Sequence, residues 1–225
     1  MCRRFSQNLG RHARAIVRGN KKGPIPLDCP PRYNIAPSQL CQIIIHEDSQ
    51  IPVFDKYHWG PVPFWAKNMI VGTRLVTARF AAWDGNVSSR AALARRRCLV
   101  PASGFYEWRR NADQTRTPYY FSASDGEDFL LAGLWEDCPE HGEAGASFTI
   151  ITTAANELMS PIHDSMPAIL PECYWDLWLD PGTRHPADFE EMLSPVPESF
   201  LRYWRVGNYV DNVRNEGERC IEKVA

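Results

Sequence analysis

Short apolar runs of strand length dominate the chain: CQIIIH (41–46), LVTARF (75–80), RCLVPASGFYEW (97–108), PYYFSA (118–123), FLLAGLW (129–135), SFTIITT (147–153) and MPAIL (166–170). Gly and Pro punctuate them, as they do at the ends of strands. Helical spacing of apolar positions is confined to 6–18, 87–96, 154–160, 172–179 and 186–193. Hairpin-length gaps between 97 and 153 predict antiparallel neighbours. The expected fold is therefore α+β, with a mainly antiparallel, barrel-like sheet and peripheral helices. The stretch 136–147 reads as a surface loop, and DPGTRHPA (180–187) sets off a C-terminal segment. No internal repeat or low-complexity tract interrupts residues 1–225, so a single domain is expected.

Composition narrows the setting. A chain of 225 residues, 44% hydrophobic and with eight tryptophans, can bury a sizeable core. Its seven cysteines (2, 29, 41, 98, 138, 173, 220) are odd in number, far apart and without a CxxC pair. Neither a disulfide framework nor a zinc site is indicated, and reduced thiols fit a cytoplasmic or nuclear protein. No metal or other cofactor is expected. Residues 1–22 carry Arg3, Arg4, Arg11, Arg14, Arg18, Lys21 and Lys22 and no acid, yet no apolar segment of signal-peptide or membrane-span length is present. The net charge of −2 thus hides a basic N-terminal stretch and a mid-chain cluster of Arg90, Arg95, Arg96 and Arg97. Such asymmetry allows a cationic face that meets phosphates; each cluster also reads as a solvated helix face.

Four segments could carry chemistry. The chain opens Met1, Cys2, and a methionine before so small a residue is commonly trimmed, which would leave Cys2 first. A leading cysteine has an α-amine and a thiol on adjacent carbons, both partly deprotonated near neutrality. The amine can form a Schiff base with an aldehyde, and the thiol can close on the same carbon to a five-membered thiazolidine. Alternatively, Cys2 is a chance residue in a frayed terminus. In GFYEW (104–108), period-two alternation puts Phe105, Glu107 and Arg109 on one face and Tyr106 and Trp108 on the other. Turned inward, that face would raise the Glu107 carboxyl pKa and make it a candidate acid or base; turned outward, Glu107 is a rim carboxylate paired with arginine. In SPIHDSMPAIL (160–170), His163 sits in a proline-restricted loop where it could act as general acid with Asp164 orienting it. In HWGPVPFW (58–65), Trp59 reads as a core residue, while Trp65 reads equally as core or as a platform for a nucleic-acid base.

Together these segments resemble one family. Cys2 with Arg4 and Phe5, RYNIAPSQ (32–39), WGPVPFW (59–65), TAR (77–79), RCLVPASGFYEW (97–108), ITTAAN (151–156), IHDSMPAIL (162–170) and VRNEG (213–217) are similar to the ordered blocks of the SOS-response-associated peptidase (SRAP) family. The resemblance spans nearly the whole chain. It implies the SRAP fold, binding of single-stranded DNA, and capture of an abasic-site aldehyde as a thiazolidine on Cys2, with a self-processing peptidase activity that removes Met1. It implies Cys2 as nucleophile, Glu107 in sugar ring opening and proton transfer, and His163 as general acid toward the ring oxygen. Arg4 and Arg79 would hold phosphates flanking the lesion. Asn34, Pro37, Trp65, Thr77 and Thr152 would line the rest of a DNA cleft. The expected partner is single-stranded DNA with abasic sites, bound by a monomer off the membrane, in the cytoplasm of a bacterium or the nucleus of a eukaryote.

Two departures stand out. Position 3 is Arg3 where the family has glycine, and the segment Thr77, Ala78, Arg79, Phe80, Ala81 lacks the family's Asn and Glu. Threonine has one hydroxyl and a shorter reach than an amide, so positioning of the lesion sugar should be weaker. These differences keep two alternatives open: a single-strand DNA-binding paralogue without efficient capture, and an N-terminal-nucleophile amidohydrolase of the class II glutamine amidotransferase kind.

Overall fold

The continuous apolar runs arise because most strands bury both faces. The structure, a computed structural model, describes residues 2–8, 29–46, 52–60, 76–79, 92–137, 146–182 and 186–224. In β3 (Leu40–His46), Ile43 and Ile45 enter one core cluster while Ile44 enters another. The same division holds in β6 (Arg97–Ala102), β9 (Phe129–Glu136) and β10 (Ser147–Ala154). Period-two alternation vanishes from a strand that faces protein on both sides.

These strands belong to an eight-stranded sheet. Its order is β11 (Ser165–Pro167), β10, β4 (Pro52–Trp59), β3, β6, β9, β12 (Ile169–Leu170), and β5 (Thr77–Arg79) pairs with β10. A further pairing of β10 with β9 closes β10, β4, β3, β6 and β9 into a ring. All pairs in it are antiparallel except β10 with β4 and with β5. One cluster covers the outside, where α1 (Trp175–Leu179) and α2 (Pro186–Met192) supply Trp178, Leu179, Phe189 and Met192.

The other cluster lies between the ring and a second, five-stranded antiparallel sheet: β13 (Leu201–Arg205), β8 (Arg116–Ala123), β7 (Gly104–Arg110), β1 (Phe5–Gln7) and β2 (Arg32–Ile35). Phe5, Phe105 and Phe121 pack inward from this sheet; Tyr106 and Tyr120 face outward beneath Val206, Val210 and Cys220. Each such fully buried large apolar side chain contributes about 1.5–3 kcal/mol. Gly104 is required where β7 meets β8, since a Cβ there would lie 2.2 Å from the Tyr120 ring.

Several expectations need correction. Residues 5–7 form a strand, because Phe5 and Ser6 pair with Phe105 and Gly104; the remainder of the expected 6–18 helix, beyond Asn8, lies outside the described residues. Of the 87–96 helix, 92–95 is helical and 87–91 lies outside. Residues 154–160 are not a helix. The Asn156 side chain accepts the Met159 N–H (3.0 Å) and donates to Val196 O (3.0 Å), and Pro161 prevents a helical continuation. The strands β2, β4 and β13 carry no clear pattern in sequence: β4 exposes Asp55 and Lys56 in mid-strand, and β13 is an edge strand with exposed Arg202, Tyr203 and Arg205. In the arginine cluster Arg95 is exposed, while its two neighbours are engaged. Arg97 is buried and donates to the carbonyls of Leu93, Trp178 and Asp180, and Arg96 pairs with Glu136 at 3.4 Å; Arg90 lies outside the described residues. Among the described residues no helix is long and apolar enough to cross a membrane.

Candidate active site

The N-terminal segment runs antiparallel to β7, with Phe5 opposite Phe105 and the Tyr106 N–H donating to Arg4 O at 3.0 Å. That register carries Cys2 toward Glu107. Cys2 is fully buried in the inner core, and its Sγ–H donates to Arg4 O at 3.7 Å. Burial, and then the Glu107 carboxylate, push its thiol up to about 12, against the lowering pull of the positive amino terminus and the Arg4 hydrogen bond. With Met1 still attached, Cys2 is therefore protected. Iodoacetamide at about pH 8 is expected to label exposed Cys173 and spare Cys2, whose labelling should climb as the pH is raised toward 12. Peptide mapping of the labelled protein reads this directly, and rapid labelling of Cys2 at neutral pH would contradict it.

Glu107 is buried on the inward face of β7, in line with Phe105; the shared face is the one alternation gives, and the structure turns it inward. It opens onto a cleft of about 440 Å³ whose other wall holds Ile162 and His163. His163 closes the loop after β10, and its Nδ1 lies 3.1 Å from the Ser165 N–H, 3.2 Å from Ser165 Oγ and 3.0 Å from Asp164 Oδ1. A backbone N–H can only donate, so in the neutral ring Nδ1 accepts and Nε2 carries the proton. When the ring is doubly protonated, Asp164 becomes the partner of Nδ1. Asp164 is suited to this, since a hydrogen bond from Ser165, then His163 and Arg79, hold its carboxyl below the usual range.

Arg79 reaches the same corner. β5 sets Thr77 beside Ile150 and Arg79 beside Thr152, and Arg79 Nη2 pairs with Asp164 Oδ2 at 3.4 Å. Both side chains are at least half exposed, so solvent screens the pair and a phosphate can take the place of Asp164. Thr77 is half-buried; Thr152 is fully buried between β5 and β11, and its hydroxyl finds no partner among the described residues.

Arg4 and Asn34 are engaged differently. Arg4 directs three of its five N–H groups to Asn34 Oδ1 (2.6 Å), Val210 O (2.7 Å) and Asp211 O (3.1 Å), with its guanidinium over the Trp108 ring. The Asn34 Nδ2 shares its two N–H groups among the carbonyls of Val210, Asn212 and Asn215, at 2.9–3.2 Å. Together they tie the 210–215 segment to the five-stranded sheet behind the cleft. Pro37 is half-buried in the turn before β3, where Ser38 takes a φ of 70°. Trp59 is a core residue: its ring stands edge-on to Phe5, and its N–H donates to Val76 O at 2.9 Å. Trp65, Phe80 and Ala81 lie outside the described residues.

The cleft also takes in Arg3, Trp108, Arg110 and Arg116. The family blocks do not mark Arg110 or Arg116. The signal for them is the hairpin itself, which brings Arg116 of β8 opposite Arg110 of β7.

The geometry defines a basic cleft lined by a buried carboxylate and a loop imidazole, with a cysteine on the adjoining N-terminal segment. The family model described as SOS response associated peptidase (SRAP) matches residues 1–213, and the chain belongs to that family. It is 36% identical over 194 residues to abasic site processing protein YoqW of Bacillus subtilis, covering 85% of this chain and 86% of that one. It is 27% identical to abasic site processing protein YedK of Escherichia coli over the full length of both. Among solved structures, a protein from Bacteroides thetaiotaomicron superposes with a TM-score of 0.78 over 98% of this chain and 100% of its own, at 22% identity.

Proposed function

We propose that this chain senses abasic sites in single-stranded DNA and captures their ring-opened aldehyde on Cys2, once Met1 has been removed by self-processing. The observation that carries the reading is the cleft that Glu107 and His163 both line beside the N-terminal segment, with Arg3, Arg110 and Arg116 on its walls. The His163 Nε2–H would protonate the sugar ring oxygen while a base takes the anomeric hydroxyl proton, which opens the hemiacetal to the aldehyde. The Cys2 amine then adds to that carbon and one water leaves to give the imine. Sγ adds to the imine carbon and its proton passes to nitrogen, closing the thiazolidine. In the Met1-bearing chain burial and Glu107 hold this thiol in its neutral form; the closing step needs a proton acceptor at Sγ, and Glu107, near enough to act on the thiol's charge, would be that base. Arg79 would exchange Asp164 for a phosphate of the bound strand.

The test is incubation of the Met1-free protein with a single-stranded oligonucleotide carrying one abasic site, followed by a denaturing gel. A band that survives heat and detergent is expected. Retained binding without that band would favour the non-catalytic DNA-binding alternative, and glutamine hydrolysis the amidohydrolase one. The threonine on β5 should make capture slow: one long or water-bridged hydrogen bond to the sugar costs about 0.5–1.5 kcal/mol, roughly threefold to tenfold in rate. Thr77→Asn is expected to recover that factor in a single-turnover time course without changing affinity for undamaged strands.

A further inference from the structure

Arg110 and Arg116 stand directly opposite each other across the β7–β8 hairpin. Both are exposed on the cleft wall, where exposed Arg3 joins them. Like charges in facing positions of an antiparallel pair destabilise the sheet. Among the described residues none of the three guanidiniums forms an ion pair. Arg110 donates to the neutral amide oxygen of Gln114, and Asp113, the acid of the hairpin turn, is taken up by the Thr115 N–H and hydroxyl. The hairpin therefore concentrates positive charge at one wall of a cleft that the Glu107 carboxylate also lines.

We propose that Arg3, Arg110 and Arg116 form a second phosphate clamp, which takes the DNA backbone on the sheet side of the cleft while Arg79 takes it on the His163 side. This rests on the reading that the cleft holds single-stranded DNA. A strand has a phosphate on each side of every sugar, so a sugar held between Glu107 and His163 presents one phosphate to each wall. Guanidinium forks suit phosphate oxygens through bidentate, charge-assisted hydrogen bonds, and the phosphate relieves the Arg110–Arg116 repulsion.

The experiment is equilibrium binding of an undamaged single-stranded oligonucleotide across a salt series, for the whole chain and for R110A/R116A, R3A and K56A, the last an exposed cation on β4 in the other sheet. Each lost phosphate contact should flatten the log K against log salt slope by about 0.7, so the double variant should lose about 1.4 and K56A nothing. The melting temperature of R110A/R116A should be no lower than wild type, since facing like charges have been removed. An unchanged slope in the double variant, or an equal loss in K56A, overturns the clamp. If the wild type binds the strand but never crosslinks an abasic one, capture fails and the clamp is still decided by the slopes. If it crosslinks while the slopes do not move, the clamp fails and capture stands.

Discussion

Cys2→Ala is expected to eliminate the heat-stable adduct with abasic single-stranded DNA, the largest effect of any substitution considered. The variant keeps an α-amine and can still form an imine, but nothing closes on the imine carbon, and the imine hydrolyses when the DNA is denatured. An added free thiol should not rescue it. A thiol attached two bonds from the amine acts with an effective concentration of up to about 10⁵–10⁸ M, which millimolar reagent cannot approach. Borohydride should trap the imine in Cys2→Ala, whereas a tag retained before Cys2 should prevent both species, because an amide nitrogen does not add to aldehydes. A stable adduct of wild-type yield from Cys2→Ala, measured on a denaturing gel, would remove Cys2 from the mechanism.

Glu107→Gln and His163→Gln are expected to slow adduct formation by about 10²–10⁴-fold with little change in DNA affinity. The Glu107 variant is informative in its sign. The carboxylate raises the Cys2 thiol pKa, so its removal makes the thiolate easier to form. If thiolate population alone limited the rate, Glu107→Gln would be faster than wild type; if Glu107 moves the proton, it is slower. Single-turnover rates at saturating DNA separate the two, and a variant that lost affinity but kept its rate would be a binding residue instead.

Of the ring strands, β3, β6, β9 and β10 were legible because burial on both faces leaves an unbroken apolar run, as in Leu99–Val100 and Leu130–Leu134. Those that escaped, β2, β4 and β13, are edge-like or half-exposed and carry charges where a pattern is sought. That Glu107 shares a face with Phe105 followed from alternation; that this face turns inward did not, since both readings of the pentapeptide were open. That His163 shares its cleft did not follow either, since Glu107 lies on β7 of one sheet and His163 in the loop before β11 of the other, and they meet through tertiary packing. Arg4 and Asn34 are the clearest case of hidden context: their polar atoms turn to carbonyls at 210–215, a pairing that no local pattern encodes. Arg110 and Arg116 became visible once the hairpin register was known.

The central claim is a condensation at the first residue of the mature chain, and the intact mass of the adduct tests it most directly. Met1-free protein incubated with an oligonucleotide bearing one abasic site should give a species whose mass is the sum of the two less one water, without any reductant. Fragmentation should place the DNA remnant on Cys2. Absence of that species, or a remnant carried by a lysine or by protein that retains Met1, would contradict the account.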